Sequence, residues 1–137
     1  MNIKRYIAAS VAVFVVQQLL NFLIHGVILK AAYESTKSIW RPDMASKMWI
    51  LTLTTFILSF LFTLIFVKGY EGKGIKEGLR FGLLIGLFIS LPVSYENYVV
   101  LPIPYLLALQ WFLYGTIAWM FMGAMAAIVY RPKTANS

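Results

Sequence analysis

Four long apolar stretches, separated by short connections that carry nearly all the charge, constrain this chain more than any other feature. They cover about residues 6–29, 49–67, 78–100 and 105–130. A helix needs about 20 apolar residues to cross a bilayer, and the stretches are all about that long or longer. The chain has 137 residues, of which 61% are hydrophobic and 12% charged. That leaves too little polar surface to cover such an interior in water, so lipid must take water's place over much of it. The reading is one all-α transmembrane domain spanning 1–137, an integral membrane four-helix bundle with a short interfacial helix between spans one and two.

Charge gives the expected orientation. With four spans both chain ends lie on one side, together with the second connection. That side carries Lys4, Arg5, Lys68, Lys73, Lys76, Arg80, Arg131 and Lys133, against Lys30, Lys37, Arg41 and Lys47 on the other. The positive-inside rule then places both termini in the cytoplasm. Net charge is +7, but the basic residues are dispersed among the connections and form no single patch. Orientation and contact with anionic membrane lipid explain them better than nucleic-acid binding, which is not expected. Lys4 and Arg5 before an apolar run also fit a secretory signal, but the run is longer than a usual signal core, so a retained span is expected.

The third span holds the most specific pattern. Gly78, Gly82, Gly86 and Ser90 recur every four residues, so on a helix they form one nearly side-chain-free groove. Close backbone approach along small residues is a main route to helix association in lipid. Gly123 and Ala127 form a second small pair in span four. Pro92 removes an intrahelical hydrogen bond and should kink or interrupt span three. Beyond it, either helix resumes through Tyr95 to Val100 or an irregular re-entrant piece occurs over 92–104. The tail from Pro132 is polar and expected to be disordered.

Polar residues within the spans follow helical faces. Ser10, Gln17, Asn21 and His25 are spaced seven, four and four apart, with Gln18 beside them, and should look into the bundle. Thr52, Thr55, Ser59 and Thr63 make a hydroxyl stripe able to bond back to its own helix. Trp40, in the first connection, and Tyr33 favour the headgroup layer, and Pro42 should end the surface helix. Glu77 and Arg80, three apart, suit a pair on one helix face.

Chemistry is sparsely signalled. There is no cysteine and one histidine, which excludes a thiolate metal site and a haem held by two histidines of one chain, so no metal or cofactor is expected. No phosphate-binding loop, nucleophile elbow or zinc-protease motif is present, and no enzyme activity is expected. Glu96 lies beside Tyr95, Asn97 and Tyr98, and His25 lies about 29 Å up its helix from Tyr6, near the outer boundary. Two arrangements stay open. In the plain one, His25 is an interhelical hydrogen-bonding residue and Glu96 touches water or pairs with Lys30 or Arg41. In the other, Gln17, Asn21, His25, Glu96, Asn97, Gln110 and Tyr114 line a polar cavity in the outer leaflet, able to bind a small polar molecule, a cation or a headgroup.

The segments LIHGVILKAAYE, WRPD and KGYEGKGIKEGLRFGLLIG resemble a group of small four-span bacterial membrane proteins. The resemblance implies a bacterial inner-membrane location and four spans, and it implies no activity. The function expected from all this is a structural or accessory subunit of a homo-oligomer or larger membrane complex. The alternative is a small transporter or ligand-binding protein using the cavity around His25 and Glu96.

Overall fold

The computed structural model describes residues 1–131 of the chain, so the tail from Pro132 lies outside the described residues. Those residues are all-helical, with no strand. Helix α1 (Ile3–Asn21) runs directly into a π-helical stretch, Phe22–Ile28. A short helix α2 (Lys30–Ser35) follows, then 3₁₀ turns over Lys37–Ile39 and Met44–Lys47. Helices α3 (Met48–Gly69), α4 (Ile75–Val100) and α5 (Tyr105–Tyr130) complete the chain. The four long helical segments are each long and apolar enough to cross a membrane, as a multi-pass membrane protein requires.

Local chemistry sets the boundaries. Asn2 caps α1, its side-chain oxygen accepting the Arg5 N–H at 3.1 Å. The turn between α3 and α4 uses Gly72 and Gly74 at φ of 82° and 75°, a region glycine enters without a Cβ clash. Pro102 and Pro104 bracket the brief connection before α5, whose first residue follows Pro104.

Helix α4 passes through Pro92 without interruption and continues to Val100, so no re-entrant piece occurs before the connection. The proline leaves the Phe88 carbonyl without its usual helical donor, at a position where Pro92 itself is exposed. Ser90 and Ser94, on the opposite side, are buried.

Helix α5 is the hub. It packs closely on α4, also packs on α1 and touches α3, and α1 in turn packs on α3. Glycines make the α4–α5 contact possible. A methyl group at Gly78 would collide with the backbone of Gly123, and one at Gly82 with the backbone of Trp119 and Met120. At Gly86 the added carbon would stand 3.0 Å from Thr116 Cα. The seam between α3 and α4 is different, being filled by rings: Phe62 and Phe66 each lie about 5 Å from Phe81.

Two apolar clusters fill the interior. One gathers Val13, Phe62, Phe66, Trp119, Met122, Ala126 and Ala127; the other gathers Ile24, Leu29, Ile103, Leu107 and Ala108 at the opposite end. Contacts between Asn2 and Tyr130, and between Tyr70 and Tyr130, bring the chain's beginning, the end of α5 and the α3–α4 connection to one end of the bundle.

Candidate functional site

The π-helical stretch decides what His25 meets. Its hydrogen bonds span one residue more than α bonds, and the Leu29 N–H closes it on the Ile24 carbonyl at 2.8 Å. One inserted residue turns everything after it by about 100° relative to a continuous α-helix. His25 therefore leaves the face set by Ser10, Gln17 and Asn21 and turns toward α2. Its Nδ1 lies 2.5 Å from the Tyr33 hydroxyl.

Tyr33 is the centre of a hydrogen-bonded aromatic cluster. The Trp111 indole N–H donates to its oxygen at 2.7 Å. An indole nitrogen only donates, so the Tyr33 oxygen accepts from Trp111, and its second bond, to His25 Nδ1, runs in the direction set by the imidazole tautomer. The chain of hydrogen bonds runs from Trp111 through Tyr33 to His25. Trp40 packs on both rings, 5.8 Å from Tyr33 and 6.2 Å from Trp111, and donates its N–H to Thr36 Oγ1 at 3.0 Å. Burial pushes the Tyr33 hydroxyl above the ordinary tyrosine range, partly offset by the Trp111 hydrogen bond. The cluster ties the first connection to α5.

The remaining polar residues of the spans go to separate places. Gln17 Oε1 stands 3.0 Å from Ser59 Oγ, linking α1 to α3. Ser10 donates to the Tyr6 carbonyl, Thr63 to Ser59, Thr55 to Leu51 and Thr116 to Phe112, each four residues back on its own helix. Asn97 likewise donates to the Val93 carbonyl. Glu96 is exposed on α4 and makes no hydrogen bond or ion pair with the described residues, and Arg41 pairs instead with Asp43. Asn21, Gln110 and Tyr114 are half-buried and make no side-chain hydrogen bond among the described residues. No hydrogen bond or ion pair joins His25 to Glu96.

Gly78, Gly82, Gly86 and Ser90 are all buried on α4, and Gly123 and Ala127 are buried on α5 opposite them. Ser90 also meets a glycine, since a methyl at Gly115 would stand 2.7 Å from its Oγ.

At the other end, Glu77 does not pair with Arg80. Its two carboxylate oxygens accept the backbone N–H groups of Glu71 and Lys73 at 2.6 and 2.8 Å, clamping the turn. Glu71 pairs with Lys73, which holds the Glu71 carboxyl below its ordinary value. Among the described residues no three His, Asp or Glu side chains come together to hold a metal ion.

Sequence reasoning placed Tyr33 and Trp40 in a headgroup layer and did not see Tyr33 as the partner of His25 and Trp111. The spacing of eight from His25 to Tyr33 would have been a signal only with the π stretch known. No known protein family, curated protein or solved structure matches the chain.

Proposed function

We propose that the chain is a structural or accessory subunit of a bacterial inner membrane, with both termini cytoplasmic, and acts without enzymatic chemistry of its own. It works within a homo-oligomer or a larger membrane complex. The observation that carries this reading is the contrast between the two faces of α4. One is lined with glycine and serine and locked against α5. The other presents Leu84, Leu87, Phe88 and Leu91, all exposed, with Phe88 at 78%. Helix α3 has a similar uncovered row in Trp49, Leu53, Ile57 and Leu61. Bulky side chains on two neighbouring helices offer surface for lipid or for another subunit. Helix α2, with Tyr33 half-buried and Lys30 and Glu34 exposed, suits the membrane surface.

A cavity built on both His25 and Glu96 draws less support. His25 is engaged by Tyr33, Gln17 stands against Ser59 and Asn97 bonds back to the Val93 carbonyl, and no hydrogen bond or ion pair joins any of them to Glu96.

The deciding experiment is subunit counting in native membranes by stepwise photobleaching, joined with native mass spectrometry from lipid nanodiscs. A defined oligomer, or a stoichiometric co-purifying membrane protein, is expected. A lone monomer in both measurements would overturn the reading.

A further inference from the structure

The seam between α3 and α4 opens at the end that carries their connection. Rings of Phe62, Phe66 and Phe81 fill it, and a cavity of about 390 Å³ remains beside them. That volume lies within the range of about 300–1,000 Å³ found for small-ligand sites. Its walls divide by chemistry. Ile65, Phe66, Phe81 and Leu84 make the apolar part, and Glu71, Lys73, Glu77 and Arg80 make the polar rim. Ile65 is 56% exposed and Leu84 66%, so the apolar part opens sideways out of the bundle.

The four rim charges are in different states. Glu77 is committed to two backbone N–H groups, and Glu71 to Lys73. Arg80 makes no ion pair or hydrogen bond with any described residue, although it lies near enough to Glu71 to add a little to the lowering that Lys73 causes there. It stands five residues into α4, about 7.5 Å above the helix start. A guanidinium offers five donors in a planar fork that matches the oxygens of a phosphate. Its long stem can lie along apolar surface while the head reaches the polar layer.

We propose that this cavity binds one anionic phospholipid, with Arg80 holding the phosphate and an acyl chain lying between Ile65 and Leu84. The proposal rests on the reading that the helices span a bilayer, and it is independent of whether the chain is a subunit of anything. A span's end is where a headgroup meets its chains, so a cation above a laterally open apolar slot matches an amphiphile better than a free anion. A lipid of net negative charge suits the guanidinium better than a zwitterionic one, whose own cation would offset the phosphate.

The test uses the full-length protein in nanodiscs of phosphatidylcholine containing a minority of phosphatidylglycerol, with bound lipid counted by native mass spectrometry. One retained phosphatidylglycerol per chain is expected. Arg80→Gln should lower its retention by about tenfold or more, the scale of a charge-assisted hydrogen bond lost. Lys76→Gln removes the same charge one turn away, outside the cavity, and should leave retention nearly unchanged. Leu84→Trp should fill the slot and also expel the lipid. Equal loss in the Arg80 and Lys76 variants would overturn the proposal, because diffuse surface charge would then be enough. So would equal retention of phosphatidylcholine, or displacement of the lipid by millimolar inorganic phosphate, which would mark a site for the free anion. Melting temperature checks that the variants fold. If Arg80→Gln fails to fold, Leu84→Trp decides, and full lipid retention in that variant overturns the proposal.

Discussion

Gly82 and Gly69 are both helical glycines, yet only one has a neighbour. A side chain at Gly82 meets the α5 backbone, which cannot move without separating the helices, whereas nothing lies within 4 Å of the Cβ position at Gly69. Gly82→Val should therefore lower stability by about 1–3 kcal/mol or more, and Gly69→Ala should change it by less than about 1 kcal/mol. Thermal unfolding in detergent checks both, and similar losses for the two would refute the account. Tyr33 supplies the second prediction at this scale. Tyr33→Phe keeps the ring but leaves the Trp111 N–H without its acceptor, costing about 1–3 kcal/mol. The hydroxyl also resists ionisation because burial raises its folded-state value above that of the unfolded chain. The associated stability is fully present below the ordinary tyrosine range and declines as pH rises from there through the folded value. An ultraviolet titration should show one fewer late-ionising tyrosine in Tyr33→Phe than in the parent protein.

Helix by helix, the residue pattern foretold four long apolar helices. Four apolar runs, three of them free of Lys, Arg, Asp and Glu and the third holding only Arg80 and Glu96, leave the backbone little choice, since every N–H and C=O in hydrocarbon must bond within its own segment. Two details escaped. The π stretch after Asn21 has no compositional mark, and it sends His25 to Tyr33 instead of leaving it in line with Gln17. Pro92 called for a kink or an interruption and left two courses open beyond it; α4 takes the helical one, with Ser90 and Ser94 buried on one side and the proline exposed on the other. Pro92→Ala restores a donor to the Phe88 carbonyl. Its melting temperature should equal or exceed that of the parent, since interior proline costs a helix about 3 kcal/mol. A clear drop would show that α5 depends on a proline-shaped bend.

Across the whole molecule, the chain's beginning, the end of α5 and the α3–α4 turn share one end. Reporter fusions before residue 1 and after residue 131 should thus give the same side of the membrane, and the excess of Lys and Arg predicts the cytoplasmic one. Opposite sides would refute the four-span topology. The tertiary arrangement also explains why one seam can hold a ligand and another cannot. Where glycine faces glycine, α4 and α5 touch by backbone and leave no room. Where phenylalanines fill the gap, α3 and α4 stay apart.

The four long apolar segments and the glycine stripe of α4 follow from the amino-acid order alone, because hydrophobic runs and small-residue spacing are local properties. Which surface met the stripe, which partner His25 took and where Arg80 was left without a direct ion pair were decided only in three dimensions. Those outcomes depend on residues far apart in the chain, such as Gly78 with Gly123 and Tyr33 with Trp111. A linear pattern carries no information on how such residues turn toward each other until the helices have packed.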